Sequence, residues 1–196
     1  MKRLIEGCLF LFPLLLLFRD TSPEEGLVFL AAILLHEGGH LAALFLSGYG
    51  IGEIGLSPGG ISLKADSEFI SYAKEARILL AGAGGNLVGM CLGLFLIRRG
   101  MTPLTLTFFF CNALFFLFNL LPVRGLDGYY ALRALLLRSR DPDTAECILS
   151  FWSGLFFLFL LSAGACLMIK TRNPSLLFLS LMLLGEGQTK KATRLS

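Results

Sequence analysis

Hydrophobic residues are grouped into six runs that are separated by short polar or glycine-rich segments. The runs comprise residues 4–18, 26–46, 76–97, 103–121, 150–169 and 174–185. A helix needs about 20 mostly apolar residues to cross the hydrocarbon core of a bilayer, and the second to fifth runs are close to this length. The first run is short unless it includes Lys2 and Arg3, and the last is either a thin span or an interfacial helix. The pattern predicts a polytopic membrane protein with about six transmembrane helices.

A different periodicity separates the second and third runs. Ile54, Leu56, Ile61 and Leu63 alternate with small or polar residues, and the turn-forming residues 57–60 lie between the two pairs. Alternation on both sides of a Pro-Gly turn is typical of a β-hairpin, with an ordinary loop as the alternative. The predicted fold is therefore all-α, with a small β-hairpin inserted between the second and third transmembrane helices.

Charged residues are scarce, and the basic ones lie mostly at the ends of the apolar runs. Only 16% of the 196 residues are charged, compared with about 25% in soluble domains. With the N-terminus inside, most Lys and Arg residues fall on the cytoplasmic side, although Arg98 and Arg99 fall on the other. We expect a multi-pass protein of a bacterial inner membrane that contacts lipid and binds no nucleic acid. It comprises one domain, residues 1–187, and a short basic tail, residues 188–196.

Both histidines of the chain lie in one string, HEGGH, within the second apolar run. On a helix, His36 and His40 leave the same face, and two imidazole nitrogens can supply half of a tetrahedral zinc site. Glu37 can reach a zinc-bound water without being a ligand, as a general base requires. A chance match is the alternative, but two histidines and a glutamate are costly to keep inside a bilayer without a function. The string therefore predicts a zinc peptidase site with Glu37 as its catalytic residue.

A catalytic zinc site needs a third protein ligand, and Asp127 is the best candidate. It follows the fourth run, where Pro122 and Gly125 interrupt the helix and allow the chain to turn back towards the interior. Arg124 lies three residues before Asp127, so a salt bridge between these two side chains is the alternative. We prefer the ligand interpretation because the third zinc position otherwise has no occupant.

Two asparagines, Asn86 and Asn119, are further buried polar candidates. Asn86 follows Gly82 by four residues in the string GAGGN, a spacing that favours close helix packing. An amide on the same face could also donate a hydrogen bond to a substrate carbonyl or to a developing oxyanion. Packing is the better interpretation for Asn86, and both roles stay open for Asn119. Gly38 and Gly39 likewise either admit substrate backbone near the metal or pack against a neighbouring helix.

These strings, in this order, resemble a known family. HEGGH, GAGGN and NLLPVRGLDG are similar to the motifs of the site-2 protease family of intramembrane zinc metalloproteases, over about residues 26–140. The layout and the last string are most similar to the stage IV sporulation protein FB subgroup. The resemblance implies one zinc ion per chain, a base and acid, two residues that position substrate, and a hairpin that engages it by strand addition. The ligands would be His36, His40 and Asp127, the base and acid Glu37, and the substrate-positioning residues Asn86 and Asn119.

The chain also departs from the family pattern. The family often has prolines where this chain has Arg124 and Gly125, and a second glycine where it has Tyr129. The sporulation subgroup typically adds a nucleotide-sensing CBS domain, which we do not expect here. The regulation by that domain and the sporulation substrate are therefore not transferred with the motifs.

The resemblance implies an intramembrane zinc metalloendopeptidase that cleaves membrane-embedded or membrane-associated proteins, with a sporulation sigma-factor precursor as one candidate substrate. Its expected partners are a membrane protein or peptide substrate, and a membrane inhibitor or a second copy of the chain. A catalytically inactive membrane metal-binding protein of the same fold is the alternative. A further alternative is a zinc protease whose third ligand is a glutamate, for which Glu146 and Glu186 are the candidates.

Overall fold

The computed structural model describes residues 22–48, 51–57, 60–65, 71–181 and 183. The predicted span at 4–18 and the predicted tail at 188–196 lie outside the described residues. In chain order the elements are helix α1 (Pro23–Leu46), strands β1 (Ile51–Ser57) and β2 (Gly60–Ala65), and helices α2 (Tyr72–Arg99), α3 (Pro103–Asn119), α4 (Asp127–Leu137) and α5 (Pro142–Thr171). Residues 175–181 are also helical.

Within the described residues, three helices, α1, α2 and α5, are long and apolar enough to cross a membrane. They contain the predicted spans 26–46, 76–97 and 150–169. Helix α3 coincides with the fourth predicted span but is shorter, at 17 residues. The structure thus shows an apolar helical protein with three candidate spans, and the total of six stays a prediction.

The starts of α1, α3 and α5 follow from one local pattern, a polar capping residue followed by proline. The side-chain oxygen of each cap accepts a hydrogen bond from the third residue after it, which satisfies a backbone N–H that has no partner within the helix. Proline suits the next position because its missing N–H would be unpaired there in any case. The three caps are Ser22, Thr102 and Asp141.

The strands β1 and β2 form an antiparallel pair between α1 and α2, where the sequence predicts a hairpin. Ile54 lies opposite Leu63 and Leu56 lies opposite Ile61, with an irregularity in the register near Glu53. The pair therefore connects the helix that carries both histidines to the helix that packs against it.

Helices α1 and α2 approach so closely that their backbones are almost in contact. A Cβ atom at Gly39 would overlap the carbonyl oxygen of Ala81, and one at Gly85 would overlap that of Leu35. Small residues allow such an approach, which is the usual way in which helices associate in a membrane. The close approach brings the inner face of α2 directly against the two histidines of α1.

A second packed region surrounds the turn between α3 and α4. Val123 and Leu126 form a buried apolar cluster with Leu160 of α5 and Leu183, and Leu176 packs against it. This cluster fixes the segment that leads into the first residue of α4. Many large apolar side chains in the described part of the chain outside it are exposed, as expected for surfaces that face lipid.

Candidate metal centre

His36 and His40 lie on the buried face of α1, one helical turn apart. Both residues are less than 10% exposed, and their Nε2 atoms are 3.3 Å apart. Residues four apart on a helix are neighbours on its surface, so the HExxH spacing alone brings the two rings together. This placement confirms the prediction that both imidazoles leave one face.

Asp127 is the first residue of α4, and the preceding turn points its carboxylate back at the histidines. Gly125 adopts a positive φ of 105°, which glycine tolerates readily. A Cβ atom at Gly128 would overlap the carbonyl oxygen of Leu120, so the start of α4 packs tightly against the end of α3. In this position Asp127 Oδ2 lies 3.0 Å from Nε2 of His36 and 3.0 Å from Nε2 of His40.

The two alternatives for this region were a salt bridge between Arg124 and Asp127 and a glutamate as third ligand. The structure instead pairs Arg124 with Glu146. The Arg124 guanidinium lies 3.0 Å from the carboxylate of Glu146, and its backbone N–H donates to Ser153 Oγ. Glu146 is thus the partner of Arg124, while Asp127 forms a group with the two histidines. The geometry favours Asp127 over Glu146 as third ligand, and Glu186 lies outside the described residues.

Hydrogen bonds on the far side of each ring fix where the ring hydrogens lie. His40 Nδ1 is 2.8 Å from the carbonyl oxygen of Ile78, which can only accept, so Nδ1 carries the hydrogen. His36 Nδ1 is 2.8 Å from Asn86 Oδ1 and donates to it in the same way. In a neutral imidazole, the Nε2 lone pair of each ring is then directed at Asp127 Oδ2.

Three acceptor atoms that converge without a hydrogen between them repel one another, and a cation between them removes this repulsion. Ligand atoms at about 2.0–2.1 Å from a tetrahedral zinc ion lie about 3.3 Å from one another. The observed separations of 3.0–3.3 Å therefore fit a zinc ion held by His36, His40 and Asp127.

The other predicted site residues lie around this group. Glu37 is buried beside His36 on α1, at 9% exposure. Asn119 is buried at the end of α3 and donates to the carbonyl of Phe115 at 3.1 Å. Asn86 contacts Nδ1 of the His36 ring, whereas Asp127 contacts Nε2.

The two glycines of HEGGH, Gly38 and Gly39, differ in their surroundings. Gly39 packs against Ala81, as described above. Gly38 is exposed, and a Cβ atom there would have no neighbour within 4 Å. Packing is therefore the observed role of Gly39, and Gly38 leaves open space next to Glu37.

Two residues of the centre were missed by sequence reasoning. Asn112 is fully buried, and its Oδ1 lies 3.1 Å from Asn86 Nδ2. The sequence feature that could have identified it is a polar residue in the middle of the Phe-rich run. Gly82 lies directly against both imidazoles, where a Cβ atom would be 2.8 Å from His36 Cε1 and 2.6 Å from His40 Cε1. Its spacing from Asn86 predicted packing between helices but not contact with the ligand rings.

No family model and no curated protein matches the chain. Among solved structures, it is similar to the site-2 protease from Methanocaldococcus jannaschii, with a TM-score of 0.65 over 94% of this chain and 87% of that one. The two chains share a fold. Their sequences are 24% identical, so the likeness establishes the fold, and the chemistry is argued from the residues of this chain. Together with the three long apolar helices, the site-2 protease fold indicates an integral membrane protein.

Proposed function

We propose that the protein is an intramembrane zinc metalloendopeptidase that cleaves membrane-embedded or membrane-associated proteins. The observation that carries this proposal is the convergence of His36 Nε2, His40 Nε2 and Asp127 Oδ2 within 3.3 Å, inside an apolar helical protein. Three protein ligands with a fourth position left for water distinguish a catalytic zinc site from a structural one. A multi-pass, six-span arrangement in a bacterial inner membrane accords with the placement of the apolar runs and the basic residues.

Glu37 is the proposed base and acid. When bound, zinc lowers the pKa of its water and polarises a substrate carbonyl. Glu37 takes a proton from the attacking water and passes it to the leaving amine. Its burial next to a ligand supports this role, because a carboxylate placed there without a function would be costly.

Substrate binding is assigned to the fourth zinc position, which the three protein ligands leave for water or substrate. The peptide must be extended there, because a helix hides its carbonyls in its own hydrogen bonds. The β1–β2 pair offers a strand edge that an extended peptide can join. Asn119, at the end of α3, is the proposed contact for a substrate carbonyl. A sporulation sigma-factor precursor is one candidate substrate, suggested by the motif resemblance alone.

The decisive test compares wild type with Glu37→Gln. Replacing the Glu37 carboxylate with an amide removes the base but leaves all three ligands. The variant should therefore keep one zinc ion per chain, while its cleavage rate falls by a factor of at least about 1,000. Zinc is measured by elemental analysis of the purified protein. Cleavage is measured as new N-termini in the membrane proteome of cells that express each form.

Glu24→Gln is the matched control, because Glu24 lies exposed in the first turn of the same helix. It should cleave like wild type. New N-termini at wild-type levels with Glu37→Gln would refute the proposed mechanism. A wild-type protein that binds zinc but produces no new N-termini would instead identify the inactive metal-binding alternative.

A further inference from the structure

A chain of buried amides extends from His36 across three helices. Asn86 of α2 and Asn112 of α3 are both fully buried. Asn86 Oδ1 is 2.8 Å from His36 Nδ1, and Asn86 Nδ2 is 3.1 Å from Asn112 Oδ1. Asn86 meets His36 at Nδ1, whereas Asp127 meets Nε2 of the same ring.

The direction of every hydrogen bond in this chain is determined by two backbone carbonyls. Asn112 Nδ2 lies 2.8 Å from the carbonyl oxygen of Phe108, and Asn86 Nδ2 lies 2.9 Å from that of Ala32. A carbonyl oxygen only accepts, so each amide must present its nitrogen to the carbonyl and its oxygen to the other side. Asn112 therefore accepts from Asn86, and Asn86 accepts from His36.

We infer that Asn112 is a positioning residue for the metal ligand His36. The Ala32 carbonyl accepts one N–H of Asn86 and Asn112 accepts the other. Together they hold the Asn86 amide in the orientation that keeps hydrogen on His36 Nδ1 and leaves the Nε2 lone pair for the metal. Partners that fix the tautomer and the orientation of a metal-binding histidine contribute to metal affinity. The inference rests on the zinc site of the proposed function but not on proteolysis.

The Asn112 amide packs closely against Gly89 of α2. A Cβ atom at Gly89 of α2 would overlap Asn112 Oδ1. Gly89 therefore allows the two amides to meet, and Gly89→Ala should push Asn112 away from Asn86 without removing either polar group. The competing explanation is that Asn112 merely holds α2 and α3 together, as polar residues often do in membranes.

His40 provides an internal reference for His36, because its Nδ1 donates to the backbone carbonyl of Ile78 and not to an asparagine side chain. The chain has only two histidines, so labelling histidine with ¹⁵N gives two ring systems for NMR of the full chain in detergent micelles. In zinc-loaded wild type, both rings should carry hydrogen on Nδ1 and bind zinc through Nε2. In Asn112→Leu, the His36 ring signals should shift while those of His40 stay in place.

Zinc affinity, measured by competition with a chelator, should fall about 10- to 100-fold in Asn112→Leu and in Gly89→Ala. Gly84→Ala, where a Cβ atom meets nothing within 4 Å, should retain wild-type affinity. If Asn112→Leu does not fold, Gly89→Ala and the wild-type NMR spectrum still decide the question.

Wild-type zinc affinity and unchanged His36 signals in Asn112→Leu, with a lower melting temperature, would show that Asn112 only joins the helices. Hydrogen on Nε2 of His36 in the zinc-loaded wild type would also overturn the inference, as would a wild type that binds no zinc. A wild type that binds zinc but cleaves nothing would contradict the proposed protease, while the affinity measurements would still decide the role of Asn112.

Discussion

Gly82→Ala tests how closely α2 must approach the metal ligands. A Cβ atom at this position would lie 2.6 Å from His40 Cε1 and 2.8 Å from His36 Cε1, and closer still to His40 Nε2. Non-bonded carbon atoms prefer about 3.5–4.0 Å, so the rings or the helix must retreat by about 1 Å. No other single methyl group placed on a described glycine meets both ligand rings.

A retreat of that size exceeds what a metal site tolerates. Ligand distances in a good zinc site hold to about 0.2 Å, and a functional site must be held to about 0.5 Å. We therefore expect Gly82→Ala to weaken zinc binding by at least about 100-fold, or about 2.8 kcal/mol at 1.4 kcal/mol per factor of ten. The assay is chelator competition on the purified protein, with the melting temperature recorded alongside.

Gly84→Ala is the control, because it makes the same substitution two residues later on α2, where nothing lies within 4 Å of the new methyl group. Alanine favours a helix over glycine by about 1 kcal/mol, so this variant should bind zinc like wild type and melt no lower. If Gly82→Ala also binds zinc with wild-type affinity, the described contact between α2 and the histidines is wrong.

Two further predictions concern residues on either side of the centre. Gly39→Ala should lower the melting temperature because its methyl group meets the Ala81 carbonyl, whereas Gly38→Ala should not; equal melting of the two variants would contradict the observed packing. Asp127→Ala should lose bound zinc in elemental analysis, whereas Glu146→Ala should retain it, and the opposite result would make the glutamate the third ligand.

The ligands could be predicted from sequence because each depends on a local rule. Helical periodicity alone places His36 and His40 on one face. The helix break at Pro122 and Gly125 indicated that Asp127 turns back, and the structure adds that Asp127 itself begins a new helix. Here sequence reasoning succeeded because few residues determine the outcome.

The supporting residues could not be predicted in the same way. Asn112 meets Asn86 across a separation of 26 residues, and no spacing along the chain indicates which face of α3 lies against α2. The GAGGN spacing predicted a close approach of helices, but not that Gly82 lies against imidazoles rather than against another backbone. Such contacts depend on how helices are rotated about their axes, which tertiary packing decides.

The apolar cluster at Val123 and Leu126 has a consequence for how the protein is made. Synthesis proceeds from the N-terminus, so both histidines are complete about ninety residues before Asp127 is added. The turn that carries Asp127 gains its packing partners Leu160, Leu176 and Leu183 later still. A nascent chain therefore holds two of the three ligands while about ninety further residues are added. The packing that holds the Asp127 turn is therefore completed well after the ligands themselves have been made.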